Sequence, residues 1–244
     1  MIEGRPRPRG SLTAQRIVDE AKALADEEGL AGLTMRALGR RLGVEGMAVY
    51  HHVAGKEALL DALVDAVFGE IAGPAGGWRA GLRERSLSQR AVLRRHPWAI
   101  GLIEARTHPG PVALAHQDHV IGFLLGHGFS PRTAVQSLAF LDAYVYGFVL
   151  QEVHLPTDPG PIIDVVRAHR SGSAAHPHDT RGAPEATLPA YPNLEAVITG
   201  VIGEAYRFGD DFELGLDLMI EGLAHLRRGG RAPRDADRTK PSPR

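Results

Sequence analysis

The chain of 244 residues contains no cysteine. That absence removes disulfides and every thiolate zinc site together. No stretch approaches the roughly 20 uninterrupted apolar residues that a membrane helix needs, so no membrane partner is expected. An excess of charge of one sign is also missing. A net charge of −1 argues against a protein that coats nucleic acid indiscriminately. It leaves room for a local DNA-reading surface, because the position of the charge decides. After Arg5, Arg7 and Arg9 comes neither the apolar core nor the small-residue cleavage site of a secretory signal. A cytoplasmic location is the expectation. Enzyme constellations fail as well: there is no Gly-x-Ser-x-Gly elbow, no phosphate-cradling glycine loop and no His-Glu-x-x-His. Of the twelve histidines, His116 and His119 sit three apart with Asp118 between them, and His176 and His178 flank Pro177. A metal site normally needs three or more convergent ligands. No catalytic residue, cofactor or metal is therefore expected.

What is present reads as an all-α protein. Hydrophobic content of 43% and charged content of 23% are ordinary for a soluble globular chain, and the length allows a sizeable core. Residues 1–12 form a basic arm kept extended by Pro6 and Pro8, with Arg16 just beyond it. The opening MIEGR also matches a protease-cleavage linker. A compact head is expected over 13–72, closed by the breaker cluster GPAGG at 73–77. A helical body follows over 78–228, with a long loop rich in Pro, Gly, Ser and His at 156–192, and a basic tail at 229–244.

Within the head, apolar spacing predicts a helix over 13–28 that carries Ile17, Ala21, Leu24 and Ala25 inward and stops at Gly29. Met35, Leu38 and Leu42 then recur at helical spacing behind Thr34, whose hydroxyl suits an N-cap for the Ala37 amide. Gly43 supplies a left-handed residue at the end of that segment. A second short segment from about Glu45 to Val53 buries Val49 and Val53. Two helices so short cannot bury their own apolar faces, and the helix over 56–71, with Leu59, Leu63 and Val67 inward, must support them. That is the plan of a helix–turn–helix that delivers side chains into DNA.

The body divides at its prolines and glycines into helices over 78–95, 98–105, 112–126, 131–154 and 193–203. A last helix, capped by Asp211, carries Leu214, Leu218, Met219, Ile220, Leu223 and Leu226 as a stripe. The helix over 131–154 is apolar nearly all round and has to be covered on more than one side. With Gly147, Gly215 and Gly222 allowing close approach, the two long helices point to a homodimer built as a four-helix bundle. Two heads on a dimer also meet the need of a short reading helix for a palindromic site.

Those residues resemble the TetR family of bacterial regulators. The likeness rests on Thr34, Arg36, Leu38, Leu42-Gly43-Val44, Ala48-Val49-Tyr50, His52, Lys56 and Ala58-Leu59-Leu60. The body is similar to the tetracycline-repressor branch through GHGFSP at 126–131, YVYGFVLQE at 144–152 and FELGLDLMIEGL at 212–223. The resemblance implies a repressor of double-stranded operator DNA that a small-molecule effector releases. By it, Thr34 and Tyr50 hold phosphates, Lys56 anchors the backbone, and Arg36 reaches a base edge. Gly46, Met47 and Ala48 form the first turn of the reading helix, followed by His51 and His52. The chemistry agrees: arginine pairs bidentately with guanine, Met and Ala offer apolar contact, and Tyr or Lys suits phosphate oxygens.

In that branch a histidine near position 104 would hold a chelated magnesium, but this chain has Glu104, and Val120 replaces a polar ligand contact. Thr107-His108-Pro109 stands where Thr-Arg-Pro would be. The magnesium–tetracycline site is therefore not carried over. Trp98, Glu104, Thr107, His108, Phe140, Asp142 and Tyr144 are the candidate walls of a pocket for another effector. The alternative is a dimeric small-molecule-binding or partner-binding protein of the same fold that has lost sequence-specific DNA recognition.

Overall fold

The computed structural model describes residues 12–105, 109–154, 193 and 207–227. It contains two compact units, one formed by 1–153 with 213–244 and the other by 154–212. Among the described residues every regular element is helical. In chain order they are α1 (Ala14–Gly32), α2 (Met35–Leu42), α3 (Gly46–Tyr50), α4 (Lys56–Phe68), α5 (Trp78–Arg95), α6 (Trp98–Ala105), α7 (Pro111–Gly126) and α8 (Pro131–His154). The 3₁₀ turn Phe208–Asp211 precedes α9 (Phe212–Arg227).

The head is organised around one apolar cluster. Ile17, Ala21 and Leu24 of α1, Leu38 of α2, Val49 of α3, and Leu59 and Leu63 of α4 all meet in it. Trp98 and Leu102 of α6 pack against the same cluster, so the body begins where the head's core ends. Several local expectations hold. The Thr34 hydroxyl accepts the Ala37 amide at 3.1 Å, and Gly43 closes α2 in the left-handed region at φ 73°. Helices α5 and α6 begin and end where the glycine and proline punctuation places them.

Others need correction. At Gly29 the backbone leaves the helical region (φ 70°, ψ 176°), so the first run ends there as expected, and one further short turn carries α1 on to Gly32. Helix α3 is shorter than expected, five residues, and α4 ends at Phe68 in a turn that reaches Ile71. Asp211 lies inside the 3₁₀ turn before α9. The predicted helix over 193–203 falls outside the described residues except for Asn193.

Helix α8 buries one face, through Ala134, Ser137, Leu141, Val145 and Val149. Its Val135, Phe140, Leu150 and Val153 are exposed, so among the described residues it is not covered all round. By length and hydropathy alone it could cross a membrane. On α9, Leu216, Ile220, Leu223 and Ala224 turn inward, while Leu214 and Leu218 are 63% and 69% exposed. The stripe read from the sequence is thus two faces. The acidic face between them pairs with α5: Arg79 bonds Glu221, and Arg83 bonds both Asp217 and Glu213.

Candidate nucleic-acid interface and the polar core of the body

The geometry of the head follows from two glycines. A β-carbon on Gly39 would lie 2.9 Å from the Gly46 amide nitrogen and from the Val44 carbonyl oxygen. Helices α2 and α3 therefore cross backbone against backbone, and only glycine fits at the crossing. Gly46 lies across the same contact, where an added β-carbon would stand 3.4 Å from the Met35 carbonyl oxygen. With Val49 fully buried, α3 is pinned along its inner side, and Met47 and Tyr50 stand outward at 69% and 46% exposure.

The expected reading residues fall on one continuous motif. Thr34 caps α2 and exposed Arg36 lies in its first turn; Gly46, Met47, Ala48 and Tyr50 form α3; His51 and His52 follow it, exposed; Lys56 opens α4. The nearby Arg41 is committed elsewhere, bonded to Glu20 at 2.8 Å and in a two-point contact with Glu27. Those hydrogen bonds keep the Glu27 carboxyl below its ordinary range and hold the Arg41 guanidinium protonated. Arg41 braces α2 on α1, and Arg36 in the first turn and Arg40 in the last turn are the other exposed arginines of this helix. Gly39 had not been singled out in the sequence, although a glycine inside a short helix is a signal that something approaches closely.

Head and body meet in a polar junction. Lys22 and Asp26 lie one turn apart on α1. Lys22 bonds Glu70 in the turn after α4, and Glu70 also accepts from Arg95 at 2.7 Å. The buried His96 ring lies between Asp26, 2.7 Å from Nδ1, and Glu70, 3.3 Å from Nε2. Burial works to raise the Glu70 carboxyl, but the bonds from Lys22, Arg95 and His96 outweigh it and hold it at about 2. Trp98, expected on a ligand pocket, is part of this junction: its indole N–H donates to Asp26 at 2.7 Å.

The body holds a second polar cluster, this time inside. Arg85 of α5 is 1% exposed. Its guanidinium donates to Asp142 of α8 at 2.8 Å, to Gln89 at 3.2 Å, and through Nε to Nε2 of His116 on α7 at 3.3 Å. Gln89 donates to the same Asp142 oxygen at 3.0 Å and hydrogen-bonds the Tyr146 hydroxyl. Burial, reinforced by the Arg85 charge, lowers His116 to about 4, so its ring is neutral and accepts the arginine N–H. Burial, with the Asp142 charge, raises the Tyr146 phenol and keeps it protonated. The cluster is one ion pair surrounded by neutral donors and acceptors.

The remaining expected pocket residues scatter. Asp142 belongs to this cluster. Glu104 is exposed at the end of α6, Phe140 is 44% exposed on the outer face of α8, and Tyr144 turns toward α9, against Gly215. Thr107 and His108 lie outside the described residues. His116 and His119 diverge, the latter lying 3.3 Å from the Pro74 carbonyl oxygen. No group of three metal-ligating side chains converges among the described residues. His176 and His178 are not described.

A trihelical head with a pinned, outward-facing short helix, carried on a helical body with a polar interior, defines a helix–turn–helix DNA-binding regulator. Residues 17–63 match the family of bacterial regulatory proteins named for tetR. Residues 72–227 match the tetracyclin repressor-like C-terminal domain. The chain belongs to the TetR family of transcriptional regulators, which are DNA-binding proteins and not enzymes. It is 30% identical to the HTH-type transcriptional repressor DrrR1 of Streptomyces coeruleorubidus, over 93% of this chain and 83% of that protein. It is 32% identical to the class A tetracycline repressor from transposon 1721 in Escherichia coli, over 93% and 98%. Among solved structures, the Streptomyces coelicolor TetR family protein ActR in complex with actinorhodin aligns at a TM-score of 0.67. That match has 27% identity and covers 91% of this chain and all of the other.

Proposed function

We propose that this regulator is a repressor that binds palindromic operator DNA as a homodimer and is released by a small-molecule inducer other than a magnesium–tetracycline complex. The observation that carries the reading is the head's crossing at Gly39, which fixes α3 with Met47 and Tyr50 outward and sets Arg36 and Lys56 on either side of it. Arg36 reads a base edge, Thr34, Tyr50 and Lys56 hold phosphates, and Gly46, Met47 and Ala48 let the helix sit close against the bases, with His51 and His52 at its end.

The uncovered apolar faces of α8 and α9 support the dimer. Val135, Phe140, Leu150, Leu214 and Leu218 are exposed, and the space beside Gly147 and Gly222 is open. Two such pairs of helices bury each other as a four-helix bundle. The polar core around Arg85 supports effector recognition. An apolar core of the same volume is often at least as stable as a buried ion pair, so Arg85, Gln89, His116, Asp142 and Tyr146 are better explained by a ligand they read. Bound small molecules occur in a similar protein, the actinorhodin complex of ActR. Ligand and operator then oppose each other by linkage: each weakens the other by the same factor. Such a protein works in the cytoplasm.

The test is a titration of Arg36→Ala and Lys56→Ala on the DNA fragments that the wild type selects. Arg36→Ala should relax sequence preference and cost about 1–3 kcal/mol, while Lys56→Ala should weaken all sequences alike. If neither substitution alters affinity, the alternative stands: a dimeric binding protein that no longer reads DNA.

A further inference from the structure

We propose that Asp65 of α4 is a positioning residue that latches the head-bearing helix to the body by serving as the N-cap of α7. The first turn of every helix leaves backbone N–H groups without a partner. In α7 the first residue, Pro111, has no N–H, and its Gly110 N-cap supplies no side-chain bond. The next two amides are taken by a residue 47 or more positions earlier in the chain: Val112 donates to one Asp65 oxygen at 3.3 Å and Ala113 to the other at 3.1 Å. From Leu114 onward the helix bonds itself, through the Gly110 carbonyl. The carboxylate also lies at the positive end of the α7 dipole.

The chain makes room for this bond. A β-carbon at Gly110 would stand 2.4–2.5 Å from the Asp65 carboxylate, so glycine is required there for steric reasons and not for its turn geometry. Beside it is a cavity of about 100 Å³ bordered by Val64 and Phe68 of α4, Ile103 of α6, Gly110, and Gln117 of α7.

One turn beyond Asp65, the Phe68 ring packs 5.8 Å from His116, and His116 accepts from Arg85. The opening turns of α7 are therefore held by α4 on one side and by the polar core on the other. This inference rests on the proposed role of that core in effector recognition, and adds its joint to α4, the helix that Lys56 opens: a shift of α7 at His116 has to strain or break the Asp65 cap before α4 can move.

Backbone hydrogen exchange on the full-length protein alone tests this without DNA or effector. Asp65→Ala should raise exchange by about fivefold, the factor a helix cap of ordinary strength is worth. The rise should reach Val112 and Ala113 and also α4 from Leu60 to Phe68. Gly110→Ala, which pushes the carboxylate off, should reproduce it. Asp65→Asn keeps a capping oxygen and should return α4 close to wild type. If Asp65→Ala changes only Val112 and Ala113, or if Asp65→Asn loosens α4 as much as alanine does, Asp65 is a local cap and the latch is wrong. Failure of the effector reading would leave these rates unaltered, and failure of the latch would leave effector binding at Arg85 untouched.

Discussion

Head and body solve the same packing problem in opposite ways. The head places Leu38, Val49, Leu59 and Leu63 at its centre and turns its polar groups outward. The body places an arginine, a glutamine and a histidine between α5, α7 and α8 and leaves leucines on its surface. An apolar core gives rigidity, which a reading helix needs in order to hold one pose. A satisfied polar core gives discrimination, because each group penalises a ligand that fails to replace its hydrogen bonds.

The largest expected effect tests the head. Leu38→Ala removes a fully buried side chain and should cost about 3 kcal/mol, read as a lower thermal midpoint and loss of DNA binding. The matching change in the body should behave differently. Arg85→Met strands Asp142, which is 20% exposed on its side chain, and should cost about 2–3 kcal/mol, below the figure for a fully buried pair. Combining it with Asp142→Leu should recover most of that stability while abolishing any effector response. If the double variant stays as unstable as the single one, the polar core is structural and the contrast between the two regions fails.

Gly39→Ala comes next. Its methyl would meet backbone atoms at 2.9–3.0 Å, so α2 and α3 must part, at about 1–3 kcal/mol by analogy with overpacked cores. Operator affinity should fall by more than stability alone explains. Affinity and stability falling in step would show that the crossing matters only for folding.

The cap, turn and apolar core of the head could be anticipated from the chain because their signals are local, whereas the crossing at Gly39 could be seen only once α2 and α3 were placed together. Thr34, Gly43 and the spacing of Leu38 and Leu42 each act within a turn or two. In the body, punctuation placed α5 and α6, yet the polar core stayed hidden. Arg85 sits on a helix that also carries Arg79, Arg83, Arg90, Arg94 and Arg95, all of which suit a solvated face. The available signal was register: Arg85 and Gln89 share the buried side of α5 with Leu82, Val92 and Leu93. Polar residues at core positions need partners, and theirs come from α7 and α8, more than thirty and fifty residues away. Trp98 and Phe140 were assigned to a pocket on residue type alone, and long-range packing sent them to the junction and to the surface.

Acid should sharpen the contrast further. His116 has its ordinary value of 6.5 when unfolded and about 4 when folded. A depressed folded value means that stability is complete above pH 6.5 and is lost as pH falls toward 4. Glu70, lowered from 4.5 to about 2, keeps its contribution above pH 4.5 and loses it only toward pH 2. Thermal midpoints of the wild type should therefore decline between pH 6.5 and 4.5, and His116→Gln should flatten that limb. An unchanged slope in the variant would remove the buried neutral imidazole from the account. The smallest effect belongs to Arg41→Ala at the surface: exposed ion pairs contribute little, so neither the thermal midpoint nor the DNA sequence preference should move detectably.

The central claim is that the head reads sequence and does more than attract phosphate. Recovery of genomic fragments by the purified protein, at low and at near-physiological salt, tests it most directly. A short inverted repeat that survives the higher salt is the predicted result, since base contacts do not depend on counterion release as phosphate contacts do. Binding without sequence preference that vanishes as salt rises would contradict it.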